Sequence, residues 1–291
     1  MPATPLGIDR RTLLRWAGTA ATAAAVLPTA LAQSEPAVAG LAGLTGRLRD
    51  LMLMRGALDD RLVIGTISGQ YYGVIDAEIT PLFGVVAVTF TRWRQLPDGG
   101  GGLRSVSFEH AYYTDLDSGQ VLDQWRNPLN GASCKVPVWT SPATARLLLP
   151  DLSFRNEKPL PAGMSLEAKM VSLQEEGGEL VIVERVRSAV PRPAPAKPYR
   201  YSELVTMRAS LAALRDPNAR RVPCSNSFTN ISGWRPWLQM GDQPGHLMAQ
   251  GVGRYGAEFE ALPAVWLQAT RRLKPDWLAD PASRLAALMT S

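Results

Sequence analysis

Residues 82–95, LFGVVAVTFTRWRQ, lead through a Pro- and Gly-rich break at 97–102 into residues 103–114, LRSVSFEHAYYT. β-Branched and aromatic side chains recurring at period two on both sides of a turn-forming cluster are the pattern of antiparallel strands. Working outward, the same pattern holds over 61–74, 119–126 and 133–140, with Asp117-Ser118-Gly119 and Asn130-Gly131 as further turns, so five sequential strands are expected as a meander. A second β-rich portion has runs at 164–174 and 179–189 joined at Gly177-Gly178, then 199–208, 220–231 and 245–255. The Pro-rich stretch 191–198 between them is too short for an interdomain linker and reads as an extended crossover.

Helical spacing is confined to 41–58, 210–214, 263–273 and 277–289. About ten strands with few helices favour a mainly β, antiparallel barrel, closed or nearly so, because closure removes exposed edges. A barrel of eight to ten strands has room for one small ligand, and a flat sandwich is the alternative architecture. The expected organisation is a leader at 1–32, a helix-bearing segment at 33–60 and one barrel domain at 61–291.

The leader is read from Arg10-Arg11, followed by Thr12-Leu13-Leu14-Arg15 and a small, apolar run ending at Ala30-Leu31-Ala32. This is the form of a twin-arginine export signal with a small-residue cleavage site before Gln33, which implies the translocase as a transient partner and a periplasmic or secreted destination. Later apolar runs fall short of the ~20 residues that cross a bilayer, and no Cys stands directly after the cleavage site, so no stable membrane anchor is expected. The formal charge of +5 drops to +3 without residues 1–32. Basic residues are scattered and often beside acids, as in Glu184-Arg185 and Arg215-Asp216, which argues against a nucleic-acid partner.

Cys134 and Cys224, the two cysteines, are expected as buried free thiols, with a bridge as the alternative. Neither forms a short-spaced metal motif with His110 or His246. Gly251-x-Gly253-x-x-Gly256 matches a dinucleotide fingerprint, but a Pro263-bearing segment stands where the phosphate-binding helix should open. No metal and no cofactor are expected.

Chemistry is sought on apolar strand faces. In 103–114 the face made by Val106, Phe108, His110 and Tyr112 is the more apolar, so His110 and Tyr112 are expected inside, either as an acid–base pair or as groups satisfied by backbone carbonyls. Glu203 shares a face with Tyr199, Tyr201, Val205 and Met207, where a carboxylate is either paired with an arginine or raised in pKa. Trp234-Arg235-Pro236-Trp237 and the nearby His246 are candidate ligand-binding residues, lining an apolar pocket with one cation or plugging a barrel end.

The run from Tyr113 through Asp115, Ser118-Gly119, Leu122 and Trp125 to Asn127-Pro128 resembles the Y-x-D-x-x-T/S-G-x-x-L-x-x-W-x-N-P block of the DUF1838 family. Pro81-Leu82-Phe83-Gly84, Tyr201-Ser202-Glu203, Asp216-Pro217, Trp234-x-x-Trp237-x-x-Met240-Gly241 and Pro244-Gly245-His246-Leu247 resemble its other blocks in order, over about 60–280. The resemblance implies no particular reaction. On the residues alone, the expected function is a lipocalin-like barrel holding a small apolar or aromatic molecule. It would serve as a cofactor-independent lyase or isomerase using His110, Tyr112 and Glu203 for proton transfer. A non-catalytic carrier and a protein-docking module are the alternatives.

Overall fold

A computed structural model of the chain describes residues 44–96, 102–192 and 197–290. The export segment expected at 1–32, most of the 97–102 turn and the middle of the Pro-rich crossover lie outside those residues. The strands are β1 (Val63–Ile75), β2 (Glu78–Gln95), β3 (Leu103–Thr114), β4 (Gln124–Arg126), β5 (Ser133–Lys135), β6 (Trp139–Leu148), β7 (Ser153–Asn156), β8 (Ser165–Glu176), β9 (Glu179–Val190), β10 (Tyr199–Ser210), β11 (Cys224–Ser232) and β12 (His246–Ala257). The helices are α1 (Leu44–Arg55), α2 (Leu211–Arg215), α3 (Ala264–Leu273), α4 (Asp276–Ala279) and α5 (Pro281–Thr290).

Among the described residues ten strands close an antiparallel barrel in the order β1-β12-β11-β10-β9-β8-β7-β6-β3-β2. Closure is made by β1, in which Tyr71 opposes Phe83 of β2 on one side and Ala249 of β12 on the other. Gly251 makes this seam tight, since a Cβ there would stand against the Ser68 carbonyl of β1 and 2.7 Å from the Gly69 Cα. β11 shows the ideal barrel-wall pattern, its residues alternating buried and exposed from Cys224 to Ser232. The expected strands at 119–126 and 133–140 are corrected by the structure. They contribute the β4–β5 hairpin, which stands apart from the wall, and the first two residues of β6, while the rest of β6 and the four-residue β7 supply the missing staves.

Three apolar clusters organise the molecule. α1 fills one end of the barrel, burying Leu48, Leu51, Met52, Leu53 and Met54 against Leu103, Leu148, Leu180, Ile182 and Met207. The opposite end is roofed by the 3-10 turn Pro236–Leu238 and the β4–β5 hairpin, with Phe83, Tyr113, Trp125, Trp237, Leu238 and Met240 packed together. The third cluster lies outside the wall, where α3 to α5 cover Val86, Val88 and Phe90 of β2 and Val106, Phe108 and Tyr112 of β3. Arg104 fastens α5 there, chelating Glu157 and donating to the Leu288 carbonyl at 2.6 Å.

Asn127 holds the roof to the hairpin. It is fully buried, donates to the Leu238 carbonyl at 2.8 Å and accepts from the Leu129 amide at 3.0 Å. Asn127→Ala leaves both backbone groups without that partner. The expected loss is about 2 kcal/mol in urea unfolding. A loss below about 0.5 kcal/mol would show that the roof does not depend on this side chain.

Candidate functional site

Between the α1 plug and the roof the barrel encloses a cavity of about 480 Å³. Its lining is polar for a barrel interior, combining Arg55, Arg146 and Arg235 with Glu109, Glu184 and Glu203 and with five tyrosines. The strand pleat puts them there. On β3 the inward set is Ser107, Glu109, Ala111 and Tyr113, and on β10 it is Tyr199, Tyr201, Glu203 and Val205. β3 and β10 stand on opposite sides of the ring, so Glu109 and Glu203 approach the cavity from facing walls.

Each end of the cavity carries a cation. Arg55, the last residue of α1, bonds Glu184 at 2.6 Å and lies 5.5 Å from the Trp93 and Tyr255 ring centres. At the roof Arg235 enters just before the 3-10 turn and donates to the hydroxyls of Tyr113 and, at 2.8 Å, Tyr71. It also sits over both rings, at 5.1 Å for Tyr71 and 5.5 Å for Tyr113, so the ring faces offset its charge. Burial raises the pKa of both phenols, which keeps them neutral donors and acceptors.

The carboxylates in between are poised differently. Glu203 accepts from the Tyr201 hydroxyl and from Asn230 Nδ2 at 3.4 Å. Burial nevertheless pushes its pKa up to about 7, the charges of Glu109 and Glu184 adding to the rise while the two hydrogen bonds oppose it. Glu109 accepts from Thr89 Oγ1 at 2.8 Å, and burial lifts it above the ordinary carboxylate range as well. A carboxyl that changes protonation near neutrality inside a cavity can exchange a proton with a bound molecule.

The wall is weakest beside β7. That strand pairs with β6 only at 146–148 and with β8 only at 168–169, leaving the upper part of β6 and the start of β8 unbridged by it. Trp139, 36% exposed, and Leu166 line the cavity at this break.

Of the residues expected at the site, Glu203 and Arg235 face the cavity. His110 and Tyr112 do not, which corrects the expectation. Both point outward beneath α3 and α4, with His110 4.8 Å from the Tyr112 ring and 4.9 Å from that of Trp277. Burial pushes His110 down to about 4, aided by Lys274, so it is a neutral packing group near pH 7. Trp234 and Trp237 belong to the roof rather than the lining. Trp234 donates to the Gln243 carbonyl at 3.0 Å, and Trp237 packs 5.3 Å from Phe83. His246 opens β12 opposite Val74, outside the lining. Cys134 and Cys224 are free thiols, and burial raises Cys224 to about 12. Among the described residues no group of three or more His, Cys, Asp or Glu could hold a metal ion.

Sequence reasoning missed Glu109, Arg146, Arg55 and Glu184. The usable signal was the polar stripe Ser105, Ser107, Glu109 on β3, which is the inward face once the interior is recognised as a chamber.

The family model described as "Protein of unknown function (DUF1838)" matches residues 62–291, which spans every barrel strand, the roof and α3 to α5. The chain belongs to the DUF1838 family. No curated protein matches it. The DUF1838 match starts after α1, so Arg55, the floor of the cavity, comes from outside the matched residues. The sequence blocks that carry the DUF1838 resemblance meet at the roof, where Trp125 and Asn127 contact Trp237, Leu238 and Met240.

Proposed function

We propose that this DUF1838 barrel holds one small organic molecule in its central cavity, and that the chain reaches its place of work through the twin-arginine route. The observation that carries the binding reading is the chamber itself. An interior meant only for stability would be filled with apolar side chains, whereas this one keeps about 480 Å³ lined by arginines, glutamates and tyrosines. The lining narrows the ligand expected from the sequence. Tyrosine faces suit an aromatic body, but the buried charged groups require polar substituents on it. Export is supported by the Arg10-Arg11 segment and its Ala30-Leu31-Ala32 site.

Native mass spectrometry of the purified protein, compared with the same sample after denaturation, tests this reading. The expected result is an added small mass that is released on unfolding. A bare protein mass, together with no thermal shift across a panel of aromatic acids, alcohols and amines, would overturn it.

A second reading, proton transfer by a lyase or isomerase, is favoured by Glu203 alone, whose pKa near 7 and contact with Tyr201 suit a base and its auxiliary acid. His110 and Tyr112 have no part in it. The docking alternative loses its footing because Trp234 and Trp237 are engaged within the roof.

A further inference from the structure

We propose that the DUF1838 cavity selects an organic anion, and that Arg146 on the β6 wall binds the ligand's anionic group. The inference rests on the binding reading and narrows it to a class: a compact aromatic molecule bearing one carboxylate or an equivalent planar or tetrahedral oxyanion.

The three arginines of the cavity are not equivalent. Arg55 has Glu184 at 2.6 Å, and Arg235 has two phenol oxygens and two ring faces. Arg146 has neither kind of partner. Among the described residues no side chain accepts a hydrogen bond from its guanidinium and no carboxylate lies within ion-pair distance, while its Nε is unpartnered as are those of Arg55 and Arg235. The nearest carboxylate on an adjacent strand, Glu109, is turned to Thr89 Oγ1 at 2.8 Å. Glu109 and Glu184 attract Arg146 from a distance while Arg55 repels it, and burial pushes its pKa down. The other two arginines are shifted up.

A guanidinium cannot shed its proton at working pH, so its desolvation must be met by an acceptor. Its planar fork matches a carboxylate or sulfonate through paired N–H bonds, the strongest class of polar contact available to a cavity-facing guanidinium. Ser107, Ser141 and Thr144 line the cavity on the same side of the barrel, Ser107 and Thr144 being direct cross-strand neighbours. On the far wall Glu203 and Asn230 face the other end of such a molecule, where a hydroxyl or amine would donate to Glu203. The ligand therefore lies across the barrel between a cationic wall and an acceptor wall.

Two dyes with one scaffold separate charge from shape: 1-anilinonaphthalene-8-sulfonate, an anion, and N-phenyl-1-naphthylamine, its neutral relative. Fluorescence titration of the purified protein, with mutual displacement to confirm a shared site, should show the anion binding about 10-fold tighter or more. Arg146→Gln should weaken the anion by about 10-fold and leave the neutral dye within about 2-fold, and Arg146→Lys should fall between. Melting of Arg146→Gln should be unchanged or higher, since the substitution removes a half-buried charge without orphaning a partner. Equal affinity for the two dyes in the wild type, or an anion affinity indifferent to Arg146→Gln, would overturn the proposal while leaving the chamber intact. Exclusion of both dyes would remove the binding reading along with it.

Discussion

In urea at pH 8.5 the Glu203→Gln variant is expected to be more stable than the wild type by about 3 kcal/mol. The sign follows from the shift. Burial, with the charges of Glu109 and Glu184, raises Glu203 from the usual 4.5 to about 7 in the folded protein. Between these values the unfolded chain has released a proton that the folded chain still holds, so stability falls as pH rises through that window and levels off above it. Glutamine keeps an oxygen for the Tyr201 hydroxyl but carries no charge to desolvate. The gain should shrink to less than about 1 kcal/mol at pH 5, where the wild-type carboxyl is protonated in the folded state. Equal stability differences at the two pH values would show that Glu203 is not held protonated by the cavity. A residue kept where it destabilises the fold at alkaline pH is better explained by a task than by packing.

The second large effect belongs to the outer wall. Trp266→Ala should cost about 4 kcal/mol, because Trp266 is fully buried and its removal leaves a large cavity beneath α3. The substitution also deletes the hydrogen bond from its indole to the His110 carbonyl at 2.8 Å. It should have a spectroscopic companion. His110 is held down at about 4 chiefly by burial, and opening the helix cover should let it climb toward the ordinary 6.5. With His246 the only other histidine, the His110 ring signals can be assigned in a His246→Gln background and titrated by NMR. Loss of less than about 1 kcal/mol, or a His110 that stays near 4, would mean that the helices do not seal this face.

The contrast between β3 and β10 explains what could be read from the sequence and what could not. On β10 the rule that the more apolar face points inward succeeds, because the other face, Arg200, Ser202, Leu204, Thr206 and Arg208, carries no covering element and meets solvent at Arg200, Ser202, Leu204 and Arg208. Glu203 was therefore placed correctly. On β3 the same rule fails, because the strand is sandwiched between a polar chamber and a helix layer. Val106, Phe108, His110 and Tyr112 bury against α3 to α5, while Ser107 and Glu109 turn inward. Periodicity identifies two faces but not which one holds the cavity. The barrel itself was legible from strand number and turn spacing, whereas β7 was not, since four residues are too few to establish a period. The candidate site was half legible. Glu203 and Arg235 stand in aromatic settings that attract notice, but Arg146 lies in an ordinary polar run and gains its meaning only from what surrounds it across the barrel.

Joining β1 to β12 has a consequence in time. The stave that closes the ring is not complete until Ala257 has been synthesised, and every pairing before that leaves both edges of the growing sheet open. A nascent or truncated chain lacking β12 thus presents two sticky borders and no chamber. Neighbouring strands can pair as they emerge, but the β1–β12 pairing spans the whole barrel sequence, so closure is the late and slow step. Whatever machinery handles the chain in that interval meets a sheet that has not yet become a vessel.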